Sequence, residues 1–194
     1  MQLAWGCKPH SGWAVAVLAG GTASAPVVLD RRRVQLCPDD LPRQVYHAAE
    51  GLPRPGATAL VAKVDAAVTR MTSDVVEELA TVAAELGDLV GMAVLGNPRD
   101  MPSLDRALAN HSMLHAAEGE LYRGALDDAA AALGIAVTPA PPKRTIEEAA
   151  IALETTSERL TARLGALRAE LGAPWQADHK HATAAALMVL ALNA

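Results

Sequence analysis

The hydrophobic pattern of the first 36 residues predicts three short strands joined by turns. Residues 1–7 and 13–19 are almost entirely apolar, as in buried strands, and residues 27–36 alternate apolar and charged side chains, as in a half-exposed strand. Breaker residues separate these runs, because residues 8–12 contain Pro and Gly and residues 20–26 open with two glycines. Strands with such short connections are expected to form an antiparallel meander.

From residue 38 onward, helical patterns alternate with two more apolar runs, at residues 89–95 and 135–139. Ser73 and Asp74 mark a helix start, with Glu77 at capping-box spacing from Asp74. In chain order the predicted helices span residues 41–50, 57–71, 73–86, 103 or 109 to 133, 145–171 and 177–192. The pattern therefore predicts a single α/β domain over residues 1–194, with a five-stranded mixed sheet and helices on both faces.

The predicted helix over residues 145–171 is long for a helix that only covers a sheet. Its apolar stripe consists of Leu160, Leu164, Leu167 and Leu171, with Glu and Arg side chains outside it. Two interpretations fit this stripe: an intramolecular cover of the core, or packing against a second copy in a homodimer.

Composition and charge narrow the class of protein. The chain is 51% hydrophobic but contains no Phe, so its core must be built from Ala, Leu and Val, which favours close helix packing. The net charge of −5 argues against a generally basic nucleic-acid-binding surface. The run Arg31-Arg32-Arg33 fits either a solvated strand or a local phosphate contact.

Cysteine usage and hydropathy indicate a soluble, cytoplasmic protein with no membrane partner. Cys7 and Cys37 are far apart and form no CxxC motif, which is typical of a reducing compartment. The N-terminus lacks a basic segment followed by a long apolar run, so we expect no signal peptide. The apolar segment 182–194 is shorter than the roughly 20 residues that span a bilayer.

The segment HSMLHAAEGELYR, residues 111–123, is the strongest candidate site. On a helix, His111, His115 and Glu118 occupy positions i, i+4 and i+7 and share one face. Tyr122 continues that face, Arg123 follows beside it, and the neighbouring residues are small.

Three interpretations fit these residues. His111 and His115 have good spacing for a single divalent transition metal, with Glu118 or a further histidine as the next ligand. Alternatively, Glu118 orients one imidazole for metal-free acid–base chemistry, while Lys8 and Arg123 stabilise an anion. The third interpretation is that two polar histidines and a glutamate form no site.

Three local motifs resemble the RNase H-like superfamily, and within it the RuvC-type resolvases. GCKPHSGWAVAVL resembles the first hairpin of that group, AVLGNP the fourth strand, and ADHKHATAAALMVLAL the last helix. The resemblance covers nearly the whole chain and implies an RNase H-like, three-layer α/β fold. The helix of residues 111–123 is also similar to one in uncharacterised bacterial proteins, from which no activity carries over.

The chain departs from the RuvC pattern where the family binds two Mg²⁺ ions. Lys8, or Cys7 if strand one is shifted by one residue, stands at the first aspartate, and Gly96 or Asn97 stands at the glutamate. On the last helix Asp178 is present, but His181 replaces the second acid. Because two hard cations need several carboxylates, an ordinary two-Mg²⁺ site is doubtful.

In the RNase H-like fold, strands one and four and the last helix meet at one cleft. The resemblance therefore implies that Lys8, His10 and Ser11 lie near Asp178 and either His179 or His181, beside the helix that carries His111. Ser11 is either a nucleophile or an ordinary turn residue, and His47 either closes the cleft and contacts substrate or lies on the surface. Trp175 either packs as a plug or lines a ligand pocket.

Two functional hypotheses follow. The first is an enzyme that uses His, Glu and Lys side chains on a phosphate-bearing or other anionic substrate. The second is a non-catalytic module that binds a nucleic-acid structure, a nucleotide or a protein partner through the same cleft.

Overall fold

The computed structural model describes residues 1–194, and a five-stranded mixed sheet in the order β3-β2-β1-β4-β5 forms its centre. The strands are β1 (Gln2–His10), β2 (Trp13–Gly21), β3 (Pro26–Gln35), β4 (Asp88–Leu95) and β5 (Val137–Ala140). Strands β1, β2 and β3 form an antiparallel meander, whereas β4 runs parallel to β1 and β5 parallel to β4. The predicted five strands and the meander are confirmed.

Helices cover both faces of this sheet. They are α1 (Val45–Ala49), α2 (Arg54–Leu86), α3 (Leu104–Ala109), α4 (His111–Ala132), α5 (Thr145–Ala152), α6 (Ser157–Ala166), α7 (Arg168–Leu171) and α8 (Ala177–Leu192). Helices α1 to α4 bury one core against the sheet, and α5, α6 and α8 bury a second core on the opposite face. The bounds of α8 are those that its apolar pattern predicts.

The break predicted before residue 73 is wrong, because α2 is one continuous helix of 33 residues. The Ser73 hydroxyl does not cap a helix start; it donates to the carbonyl of Thr69 one turn earlier, at 3.0 Å. The local capping signal is therefore overridden by an apolar face that continues through both predicted segments.

The single long helix predicted over residues 145–171 is also corrected. Glu154, with φ of 51°, ends α5, and the Thr156 side chain caps α6 by accepting from the backbone N–H of Arg159. Leu160 and Leu164 pack inside the chain against the core that includes α8. The leucine stripe thus serves as an intramolecular cover.

Strand β1 ends three residues later than predicted. It runs to His10 and pairs with β2 through a turn of only Ser11 and Gly12, where Gly12 has φ of +84°. Since side chains alternate along a strand, Lys8 and His10 lie on one face and Cys7 on the other. Cys7 is fully buried, and burial raises the pKa of its thiol to about 12, so it is an inert core residue.

Helix α8 lies unusually close to β1. A Cβ atom built on Gly6 would lie 1.8 Å from the carbonyl oxygen of Ala182, so only glycine permits this approach. The contact places the start of α8 directly beside the end of β1. None of the helices combines the length and the apolarity that a bilayer-crossing segment requires.

Candidate functional site

Two groups of polar side chains lie where β1 ends, one on each face of the sheet. The first is the histidine cluster, which we define as His47, His111, His115 and Glu118 from α1 and α4. The second is the lysine–aspartate group, which we define as Lys8, His10, Asp178 and His181 from β1 and α8. No hydrogen bond or ion pair joins the two groups directly.

The histidine cluster contains three imidazole rings in mutual contact. The ring centroids of His111 and His115 are 4.4 Å apart. The ring centroid of His47 lies 4.8 Å from that of His115 and 5.7 Å from that of His111. One nitrogen from each ring lies within 4.8 Å of the others. His47, for which a contact with substrate or a surface position was expected, is therefore the third member of this cluster.

Glu118 holds His47 rather than facing His111 and His115. Its Oε2 lies 2.8 Å from His47 Nδ1, and its Oε1 accepts the backbone N–H of His47 at 3.2 Å. The Glu118 side chain is only 3% exposed, while that of His47 is 27% exposed. Of the two third members that the sequence left open, Glu118 and a further histidine, the imidazole of His47 lies beside His111 and His115, and Glu118 contacts them only through His47.

Asn110 fixes the position of the two exposed histidines. Its side-chain oxygen accepts the backbone N–H groups of Ser112 and Met113, at 2.9 and 3.2 Å, and so caps α4. The helix starts at His111, and His115 follows one turn later on the same face, with Nε2 atoms 3.0 Å apart. Of the two helix starts that the sequence allowed, the later one is found, and residues 104–109 form a separate helix.

In the lysine–aspartate group, Asp178 bridges two cationic or protonatable side chains. Lys8 Nζ lies 2.5 Å from Asp178 Oδ1, and His10 Nε2 lies 3.0 Å from Oδ2. Burial raises the pKa of the Asp178 carboxyl, whereas the hydrogen bonds and charges of Lys8 and His10 lower it. The lowering effects are larger, so the pKa of Asp178 lies below its ordinary value. The expected approach of Lys8 and His10 to Asp178 is therefore present.

His10 is held by an aromatic stack as well. Its ring lies parallel to that of Trp13, with centroids 4.1 Å apart, and the Arg33 guanidinium lies 4.1 Å from the Trp13 centroid. Strands β1 and β3 flank β2, so His10 and Arg33 approach the indole from opposite sides. The stack fixes the orientation of the His10 imidazole beside Asp178.

Only one of the two histidines at the start of α8 faces this group. Burial and then the charge of Lys8 lower the pKa of His181, whose Nδ1 is buried and has no hydrogen-bond partner. His179 instead accepts the backbone N–H of Gln176 and lies beside Trp175. Trp175 is a packing plug, since its buried indole N–H donates to the Leu164 carbonyl at 2.6 Å.

Arg123 is not free to bind an anion. Its guanidinium contacts both Glu120 oxygens and also Asp127, and all three side chains lie on α4. These partners neutralise its charge, and the hydrogen bonds that Arg123 donates to Glu120 are the main reason that the pKa of Arg123 is raised. The stem of Arg123 fills the space beside Gly96, where a Cβ atom would lie 2.7 Å from its Cδ.

Two adjoining cavities open at this end of the sheet, and Pro9, His115 and Gly119 line both. The smaller, of about 220 Å³, is lined by His10 and Ser11 on one side and by His115 and Glu118 on the other. The neighbouring cavity has a volume of about 380 Å³. A larger cavity of about 1020 Å³ lies at the opposite end of the sheet, away from every predicted site residue.

Sequence reasoning missed some of these contacts. Glu120 and Asp127 stand at i−3 and i+4 from Arg123, a spacing that signals ion pairs on a helix and would have revealed the neutralised guanidinium. The pairing of His47 with Glu118 has no such signal, because 71 residues separate them.

No protein-family model and no curated protein sequence matches the chain. Solved structures do. A Thermus thermophilus RuvC structure in complex with a Holliday junction substrate matches with a TM-score of 0.55 and 13% identity, covering 100% of this chain and 95% of that one. Another Thermus thermophilus RuvC structure matches with a TM-score of 0.51 and 13% identity, covering 98% and 94%. The chain therefore has the RNase H-like fold of RuvC, as the sequence motifs implied.

Proposed function

We propose that this RNase H-like protein is an enzyme with a remodelled cleft, which hydrolyses a phosphate-bearing or other anionic substrate using histidine chemistry. The observation that carries the proposal is the 220 Å³ cavity, which brings His10 from β1 and His115 and Glu118 from α4 to one volume. Two imidazoles on opposite walls of a cavity, one of them held by a carboxylate, are typical of acid–base and metal-assisted hydrolysis.

The residues present do not fit the two-Mg²⁺ chemistry that the fold suggests. Asp178 is the only carboxylate in the lysine–aspartate group, and Lys8 occupies it with a direct ion pair. A side chain at Gly96 would collide with Arg123. A cationic amine in the place of a metal ligand repels Mg²⁺, so no step of the proposed reaction runs through a magnesium pair.

In the proposed reaction, the histidine cluster and the lysine–aspartate group act on the substrate from opposite walls of the cavity. The histidine cluster reaches the cavity through His115 and Glu118 on the wall formed by α4, and is positioned to activate a water molecule for attack. His10, bonded to Asp178 and stacked on Trp13, lies on the opposite wall and is positioned to protonate the leaving oxygen. In this scheme the histidine cluster accepts a proton from the water, the water oxygen bonds to phosphorus, the bond to the leaving oxygen breaks, and that oxygen takes its proton from His10.

A panel of activated phosphate monoesters and diesters tests the enzyme proposal. We expect wild-type protein to release the leaving group, and His10→Ala and His115→Ala each to lower kcat/KM by at least a hundredfold. His179→Gln is the matched control, because His179 lies outside the cavity, and it should retain the activity. The proposal fails if no ester is hydrolysed, or if both cavity variants, folded by circular dichroism, remain fully active.

The second candidate is a non-catalytic module that binds a nucleic-acid structure, a nucleotide or a protein partner at the same cleft. It is supported by the RuvC structure of the same fold that is described in complex with a Holliday junction substrate. Against it, Arg31 bonds the carbonyls of Leu171 and Gly172, and Arg32 pairs with Asp30 and Glu78, so these arginines are engaged within the chain. A four-way DNA junction titrated in a mobility-shift assay decides this candidate: salt-sensitive binding without hydrolysis supports it, and no binding at low salt contradicts it for this ligand class.

A further inference from the structure

The three imidazoles of the histidine cluster lie together, and the Nε2 atoms of His111 and His115 are within hydrogen-bonding distance of each other. His111 and His115 are exposed and His47 is half-buried, so a solvated ion can reach all three rings. Each ring supplies one candidate ligand nitrogen, and the three nitrogens lie within 4.8 Å of one another.

Glu118 selects the nitrogen that His47 presents. An ionised carboxylate only accepts hydrogen bonds, so the contact between Glu118 Oε2 and His47 Nδ1 places the imidazole proton on Nδ1. The lone pair of Nε2 is then free for a ligand. A metal-binding histidine whose other nitrogen donates to a buried carboxylate is a recurring arrangement that fixes the tautomer and increases ligand basicity.

The spacing of His111 and His115 suits the same ligand. Their Nε2 atoms are 3.0 Å apart. Two nitrogens bound tetrahedrally at about 2.0–2.1 Å lie roughly 3.3 Å from each other, so a metal ion requires only a small side-chain adjustment. The cap at Asn110 and the helix hold both rings on one face in advance.

We propose that His47, His111 and His115 bind a single divalent transition metal, with Glu118 as the positioning residue for His47. Three imidazoles favour Zn²⁺, Co²⁺ or Ni²⁺ over Mg²⁺, which prefers oxygen ligands. Three protein ligands leave a fourth position for water, as in catalytic zinc sites. Because His115 and Glu118 line the 220 Å³ cavity, that water is available to a substrate there. Its role as the hydrolytic nucleophile rests on the proposed function, whereas binding of the metal does not.

Metal titration of the full chain, after treatment with a chelator, tests the site. We expect Co²⁺ to bind with one-to-one stoichiometry and to give the intense visible absorption of tetrahedral coordination, and Zn²⁺ to displace it. His47→Ala, His111→Ala and His115→Ala should each weaken binding by at least a hundredfold, and Glu118→Gln by about tenfold to a hundredfold. His10→Ala and His179→Gln serve as histidine-matched controls and should bind as tightly as wild type.

Two results would overturn the metal site: no visible band and no Zn²⁺ competition with wild type, or undiminished one-to-one binding in His47→Ala. Thermal unfolding followed by circular dichroism shows whether each variant is folded, and Glu118→Gln, which preserves the shape of the side chain, keeps the test decisive if an alanine variant unfolds. Failure here is separable from failure of the proposed function. Tight binding with no ester hydrolysis contradicts the enzyme only, whereas hydrolysis that survives chelation without metal binding contradicts the metal site only.

Discussion

Lys8 on the first strand and Asp178 on the last helix form an ion pair across 170 residues of sequence. Their side chains are 21% and 26% exposed, so the pair lies at the edge of the core rather than in free solvent. It joins the end of β1 to the start of α8. Both the stability of this end of the fold and the interpretation of the cleft depend on it.

Replacing Lys8 by Ala should destabilise the protein by an amount that depends on pH in a defined direction. Because the pKa of Asp178 in the folded protein lies below its ordinary value, the stabilisation is fully present above the unfolded pKa, about 4, and is lost as the pH falls through the folded pKa. We expect Lys8→Ala to cost about 1 kcal/mol at pH 7 and progressively less below pH 4. Urea unfolding of both proteins across this range measures the difference, and a gap that does not narrow in acid would contradict the assignment.

Replacing Lys8 by Asp should produce Mg²⁺ dependence. The variant sets two carboxylates against each other at β1 and α8, where like charges repel in the absence of a cation. We expect Lys8→Asp to be destabilised in chelator and to gain about 1 kcal/mol in millimolar Mg²⁺, while wild type is unaffected. Lys8→Asn is the control, since it removes the amine without adding a charge. Equal melting temperatures of Lys8→Asp with and without Mg²⁺ would show that Lys8 does not occupy a latent metal position.

Removing the Arg123 side chain should be among the most destabilising changes on α4. Arg123→Leu leaves Glu120 and Asp127 as unpaired, largely buried carboxylates, which we expect to cost about 3–5 kcal/mol at pH 7. Burial already raises the pKa of Asp127, against the opposing effect of Arg123, so without the arginine Asp127 should protonate more readily and the loss should shrink as the pH falls.

The matched control for Arg123 is Arg144, which is exposed and pairs with Glu147 and Glu148. Arg144→Leu should leave the free energy of unfolding essentially unchanged. Chemical denaturation of both variants at two pH values measures whether the loss of stability is larger for Arg123→Leu than for Arg144→Leu. Similar losses for both arginines would mean that the Arg123 network contributes no more than a surface pair.

Adding one methyl group at Gly6 should separate α8 from the sheet. The new Cβ atom would lie 1.8 Å from the Ala182 carbonyl oxygen, and helix and strand must move apart to relieve the contact. We expect Gly6→Ala to cost about 3 kcal/mol in guanidinium unfolding. Gly165→Ala is the control, because that helical position has open space and should gain about 0.5–1 kcal/mol. Unchanged stability of Gly6→Ala would exclude so close an approach.

Local sequence determined much of this fold. A buried face recurs with one period along a strand and with another along a helix, so the pattern of apolar residues identifies the element. The elements identified in this way are β3 by its alternation of apolar and charged residues, β1, β2 and β4 by their apolar runs, and α8 by its Ala/Leu run. Helix face geometry also placed His111 and His115 together, since residues four apart on a helix are neighbours in any tertiary setting. The ends of helices were predicted less well. At Ser73 the sequence contains a local capping signal, but α2 packs as one continuous helix through that residue.

Only the tertiary structure decided which side chains meet. Glu118 and His47 are 71 residues apart, and no local pattern distinguishes a glutamate that binds a metal directly from one that holds a histidine. Likewise, the turn of only Ser11 and Gly12 sets which face of β1 carries Lys8, and the close packing at Gly6 sets Asp178 beside it. Periodicity acts within an element, whereas a site is formed by elements that are distant in sequence, and their contact depends on how the whole core packs.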